Sequence, residues 1–363
     1  LSFVKLRDRD GIVTKEGLIF RVFGYSHPGH AYICDAEYAS AGIFKSDDPR
    51  APRDGAGKSK LFYKFYDDEG WKFIHKNYPQ YTILHEMLAV KVLGVNHLHI
   101  SEVRQPPARL RELVAMEPAD KLHEATLRVL NTSLNRTGLS VDNFGVFGSM
   151  LHGFHHPDYS DIDLLIYGVK QNEKMREALQ LLYAEHDSGF SNEFDTDATI
   201  AGKKWRFKNF APKEFLWHQK RKFIYGLYDD KARSGRIIKV EFEPVKEWNE
   251  IKNEYNSQAK IVRKDWVRIK ARVKEDVDAP FIPSVYGIEP LEILIGPRSA
   301  LEAVRVISYM EEFRQQVQKD ETILVEGTLE EVTLPTGNFH QIALTYCPRY
   351  YEQTLKVAGL NLR

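Results

Sequence analysis

The stretch from Phe144 to Gly168 constrains the fold of this chain more than any other. It opens on an apolar run, Phe144-Gly-Val-Phe147, reaches Gly148-Ser149, crosses a polar loop and enters a second apolar run, Ile162-Asp-Leu-Leu-Ile-Tyr167. Short runs of β-branched and aromatic residues bounded by Gly and polar residues read as strands, here joined by a turn and a loop. Gly148 lets the backbone approach a ligand closely, and Ser149 suits both capping the next helix and bonding a phosphate oxygen. The two-residue period of a strand places Asp161 and Asp163 on one face. Two carboxylates held together repel when ionised unless a divalent cation sits between them, and hard oxygen ligands suit Mg²⁺.

The rest of the chain is ordinary globular protein around this segment. Its 363 residues suggest two or three domains, and 43% hydrophobic with 28% charged residues excludes a disordered or fibrous class. The sequence has no apolar run long enough to span a membrane, and its opening lacks the apolar core of a signal peptide, so a cytoplasmic protein without membrane contact is expected. Cys34 and Cys347 are too few and too distant for a disulfide scaffold or a zinc site and read as free thiols. Lys and Arg total 51 against 51 Asp and Glu, but residues 201–275 carry 21 basic against 10 acidic residues between two acidic flanks. Such a block suits an anionic partner or a solvated face.

Punctuation by Gly and Pro suggests three regions: residues 1–115, 116–258 and 259–363. The first mixes strands such as Gly17 to Gly24 with a polar loop from Ser46 to Lys60 and a helix near Tyr81 to Val92, and ends near Pro106-Pro107. The second opens on a helix whose Leu122, Ala125, Val129 and Leu134 follow the 3.6-residue period, then alternates strands and helices. The third has strand-like runs Val267–Val273, Ile323–Val332 and Gln341–Tyr346 around a helix near Ser299 to Val317. The expected class is α+β.

As a composite, strand, Gly-Ser, an 11-residue gap and Asp161-Ile-Asp163 resemble the signature of the nucleotidyltransferase superfamily typified by DNA polymerase β. The resemblance implies a central palm-like mixed sheet with helices, here flanked by N-terminal and C-terminal α+β domains, a layout similar to that of uncharacterised predicted archaeal nucleotidyltransferases. It also implies a third carboxylate on a later strand. Val240-Glu-Phe-Glu-Pro244 has the right shape, with Glu241 the best candidate and Glu243 a rival on the same face. By the resemblance, Asp161, Asp163 and Glu241 would hold two Mg²⁺ ions, with Mn²⁺ a substitute, while Gly148 and Ser149 bind an NTP such as ATP and pyrophosphate leaves. The acceptor expected first is RNA, from the basic block and from the aromatic residues Tyr25, Tyr32, Phe62, Tyr63, Phe65 and Tyr66; a protein or small-molecule hydroxyl comes next. Because Glu stands where Asp is usual, an NTP- or RNA-binding module without turnover is the alternative class.

Other motifs fail or stay unassigned. Gly55-Ala-Gly-Lys-Ser59 lacks the first glycine of a P-loop because position 52 is Pro52, and His85-Glu86 lacks the second histidine of a zinc protease because position 89 is Ala89. His152, His155 and His156 read as an exposed loop. Lys203, Lys204, Arg206 and Lys208 suit a triphosphate, but no spacing rule selects one.

Overall fold

The computed structural model describes residues 4–54, 61–196, 200–202, 204–345 and 349–360. The Gly55–Ser59 loop, Lys203 and Cys347 lie outside them. The fold is mixed α+β and falls into two compact units that interleave in sequence: Leu1–His85, Ala89–Ser191 and Gly226–Tyr255 form the first, and Glu86–Leu88, Asn192–Tyr225 and Asn256–Arg363 the second. The boundary expected near residue 115 therefore falls inside the first unit. Pro106-Pro107 opens the helix Pro106–Ala115, where the missing N–H costs nothing. That helix lies so close to the Phe144–Val146 strand that a Cβ on Gly145 would stand 2.8 Å from Pro106.

Two sheets make up the first unit. In the N-terminal one, Pro52–Asp54, Leu61–Lys64, Ala31–Ser40, Leu18–Val22, Gly11–Val13 and Glu102–Arg104 follow in that order, and Thr82–His85 and Val90–Asn96 attach through Ala31–Ser40. Ile12, Leu18, Phe20, Val22, Tyr32, Tyr81 and Val95 share its core. The helix expected near Tyr81 to Val92 is instead an antiparallel hairpin with Ile83 opposite Val92. Short apolar runs fit either period, and here β-branched Ile83, Val90 and Val92 take the strand, with Ala89 in the turn at a left-handed φ of 51°. Tyr25, Tyr32, Phe62 and Phe65 are buried, so they serve the core and not base stacking.

The second sheet of this unit runs Phe190–Asn192, Tyr225–Asp229, Ile237–Val245, Ile162–Tyr167, Phe144–Val146. Ile162–Tyr167 pairs parallel with Ile237–Val245 and antiparallel with Phe144–Val146. Apolar side chains on both of its faces are buried. The helix Val169–Ala184, which buries Met175, Ala178, Leu179 and Leu182 at helical spacing, packs against this strand and against the helix Lys121–Thr137, which is capped by the Asp120 side chain and ended by Gly138.

In the second unit, Lys260–Glu275, Ser284–Ile295, Ala303–Ser308, Gly337–Leu344 and Thr322–Leu334 follow one another and the last pairs back with the first, closing a barrel, while Thr354–Val357 pairs with Ile323–Glu326 of the last strand and adds Leu355 to the core. Inward Val267, Ile269, Ala271 and Val273 alternate with outward Arg268, Lys270, Arg272 and Lys274. The helix expected near Ser299 to Val317 is a 3₁₀ turn, Arg298–Glu302, followed by the strand Ala303–Ser308. Val304, Val306 and Ile307 fit the pleated edge that the parallel partner Gly337–Leu344 offers. Among the described residues no helix is long and apolar enough to cross a membrane.

Candidate active site

Strand register sets two of the predicted carboxylates opposite each other. Asp163 lies directly opposite Glu241 on the neighbouring parallel strand, and Leu165 lies opposite Glu243. Asp161 stands at the exposed entry to the same strand. On the other side, the Phe147 N–H donates to the Asp163 carbonyl at 3.1 Å, and the chain turns at Gly148 with φ +60°. A Cβ on Gly148 would collide with Asp163 Oδ2, so only glycine leaves room for this carboxylate. Ser149 sits half-buried within the short helix Gly148–His152, whose N-cap is Phe147 with no side-chain bond; the expected capping role of Ser149 is not used.

The two glutamates of the later strand differ in their surroundings. Glu243 is 4% exposed and makes an ion pair with Arg9 at 2.7 Å. Glu241 is half-buried, and its Oε1 meets Lys239 Nζ at 2.6 Å. Alternation places Lys239 on the face of Glu241, so this pair was legible in the sequence. Arg9 was not. It belongs to Arg7-Asp-Arg-Asp10, a run of four charges that reads as surface but is buried throughout, with the Arg7 guanidinium 3.7 Å from the centre of the Tyr167 ring. Nothing in the local pattern of these residues signals that they pack beside the sheet of Asp163 and Glu241.

The electrostatics follow from this crowding. Burial first, then the charges of Glu241, Asp161 and Glu243, hold the Asp163 carboxyl well above the ordinary carboxylate range, with Lys64 opposing. Asp161 is also raised, mainly by burial of its carboxyl among protein atoms although the residue keeps an exposed edge; Lys239, Arg236 and Lys64 oppose. Among the described residues no three His, Cys, Asp or Glu side chains already stand close enough to hold a metal. The donor set nonetheless fits a hard divalent cation: all oxygen, with mutual repulsion that a cation would relieve, and with an ammonium already on Glu241.

The histidines of the intervening loop do not form one cluster. His152 is buried: Arg104 donates to its Nδ1 at 3.2 Å, and since Arg has only donors, the ring proton lies on Nε2, facing Glu37 at 3.4 Å. His155 bonds Asp120, the cap of the Lys121–Thr137 helix, at 2.8 Å, and His156 stacks on Tyr159. Arg236 holds the end of the loop through the carbonyl of Ser160. In the second unit, Arg206 bonds the Tyr351 hydroxyl and Lys208 pairs with Glu352, while Lys204 is exposed.

A glycine turn closed on an aspartate of D-x-D, in a mixed sheet with Glu241 opposite, is the arrangement that the sequence resemblance implies. Residues 127–261 match the family model described as nucleotidyltransferase domain. Over 359 residues the chain is 28% identical to an uncharacterized protein of Methanocaldococcus jannaschii, a match covering 98% of this chain and 99% of that one. No solved structure matches the chain.

Proposed function

We propose that this protein moves a nucleoside monophosphate from an NTP to an acceptor hydroxyl and releases pyrophosphate, with Mg²⁺ held by Asp161, Asp163 and Glu241. The observation that carries the reading is the register of Asp163 against Glu241, with the Gly148 turn closed on Asp163. Glu241 is favoured over Glu243 as the third ligand because Glu243 is buried against Arg9. Bound Mg²⁺, or Mn²⁺ in its place, would supply Lewis acidity toward the acceptor hydroxyl and the phosphoryl oxygens, as a pair of ions does in two-metal sites. The chain itself contributes the Gly148 turn, where backbone can come close to phosphate, and the Ser149 hydroxyl, a donor to a phosphate oxygen. Residues that hold reactants in line can account for a large part of phosphoryl-group chemistry.

RNA is the acceptor class to assay first. The basic block that suggested it is largely engaged: Arg268 with Glu326, Lys270 with Glu292, Lys264 with Glu331 and Lys208 with Glu352. A protein or small-molecule hydroxyl is therefore assayed beside it. The Lys239–Glu241 pair favours a second reading, an NTP- or RNA-binding module without turnover. Incubation with α-³²P-labelled NTPs and each acceptor class, with Mg²⁺ and with EDTA, separates the two. Label transfer that needs Mg²⁺ and disappears in Asp163→Asn, with folding retained, supports the enzyme; NTP binding without transfer to any acceptor supports the module.

A further inference from the structure

The N-terminal sheet sends a cation to the carboxylates of the neighbouring sheet, and we infer that Lys64 is a substrate-binding residue that grips the triphosphate of the incoming nucleotide. The inference rests on the proposed nucleotidyl transfer and extends it to a part of the chain outside the matched residues 127–261.

The geometry begins with the strand Leu61–Lys64, antiparallel to Ala31–Ser40, in which Lys64 lies directly opposite Tyr38 and Phe62 opposite Ser40. Directly opposed residues, and residues two apart, share one face of a sheet. That face is anchored on the catalytic domain. Phe62 stacks on Phe154 with ring centres 4.6 Å apart, and Tyr38 meets Phe154 and His152 edge-on at 5.5 and 5.4 Å. Ile19, Tyr38, Phe62 and Phe154 form one buried cluster, while Glu37 and Arg104 hold the two ring nitrogens of His152. His152 ends the short helix begun by Gly148-Ser149, and Phe154 follows it closely; the strand is thus pinned to the segment proposed to bind phosphate.

Lys64, at the end of the pinned strand, is half-buried, and its charge acts on both Asp161 and Asp163. Its ammonium makes no ion pair among the described residues; the ring of Tyr66 lies 5.7 Å away. Lys239 differs in being bonded to Glu241. A lysine near two carboxylates but bonded to neither is placed for an anion that arrives at those carboxylates. An NTP brings one, and a lysine ammonium binds phosphate oxygens as a compact point charge.

The test is equilibrium binding of Mg·ATP, Mg·GTP, Mg·CTP and Mg·UTP to the full chain, followed by the best nucleotide and its monophosphate with Lys64→Ala and Lys64→Arg. Loss of a charged phosphate contact weakens binding about 10- to 100-fold. Lys64→Ala is expected to weaken the triphosphate by that factor and leave the monophosphate unchanged, while Lys64→Arg restores most of the affinity. Unchanged triphosphate affinity in Lys64→Ala overturns the assignment, as does an equal loss for the monophosphate, which would mean a general effect on the site. If the unaltered protein binds no NTP, the proposed function itself fails; if it binds NTP and the Lys64 variants bind it equally well, the reaction class stands and this residue is removed from it.

Discussion

Gly148→Ala probes the site with one methyl group. The residue sits at φ +60°, where an L-residue with a Cβ is strained, and the added atom would strike Asp163 Oδ2. Holding a non-glycine residue in the left-handed region costs on the order of 1–3 kcal/mol. Relief has two routes: the turn moves away from Asp163, or the carboxylate swings off its position opposite Glu241. Either displaces a proposed ligand by about the size of a methyl group, and misplacements near 1 Å cost about 10²-fold in rate. Thermal unfolding should show a loss of roughly 2–4 °C per kcal/mol for a unit of this size. Labelled-nucleotide transfer under the same conditions should fall by about two orders of magnitude, far more than the lost folded fraction explains. A variant with the expected drop in melting temperature but unaltered turnover would refute the link between the Gly148 turn and the working position of Asp163.

Three further outcomes are expected. Arg9→Ala removes one half of a buried ion pair with Glu243 and should destabilise the protein by about 3–5 kcal/mol, while adding Glu243→Gln should recover part of this; urea unfolding of both variants reads the difference. Asp10 is raised to about 7, chiefly by burial. Because the folded form holds its proton more tightly than the unfolded chain, stability should decline as pH rises from about 4 through 7 and level off above; Asp10→Asn should flatten that decline in melting curves taken across the range. If RNA is the acceptor, its affinity should fall by about 10³- to 10⁵-fold between roughly 50 and 200 mM salt for six to ten phosphate contacts, whereas a flat titration, or heparin competing equally, removes RNA from consideration.

How much was legible depended on whether a residue's role was set by its own strand or by a distant one. Asp161 and Asp163 declared themselves through a two-residue period, Gly148 through the turn between two apolar runs, and the Ile162–Tyr167 strand appears with the expected bounds. The register of Asp163 against Glu241 also suits the spacing of Val240-Glu-Phe-Glu-Pro244. Arg9 and Lys64 were silent because their partners are far away in sequence: Glu243 lies more than 200 positions beyond Arg9, and Lys64 bears on Asp161 and Asp163 only through the docking of Phe62 and Tyr38. Hairpin and strand errors had a different origin. Tyr81 to Val92 and Ser299 to Val317 contain apolar residues at spacings that suit both periods, and pairing with Ala31–Ser40 in one case and Gly337–Leu344 in the other decided between them.

The interleaving of the two units bears on how the protein can be made and dissected. The first unit closes only when Gly226–Tyr255 reaches a sheet whose other strands were translated earlier, and Glu243 on that last segment pairs with Arg9 from the opening of the chain. A nascent chain halted before Glu243 would carry Arg9 without the Glu243 carboxylate. Chains dominated by such long-range pairings fold slowly, and their incomplete forms expose unpaired strand edges. An expression fragment trimmed to residues 127–261 would lack both Arg9 and the N-terminal sheet, and should yield a smaller soluble fraction than the 363-residue chain expressed beside it.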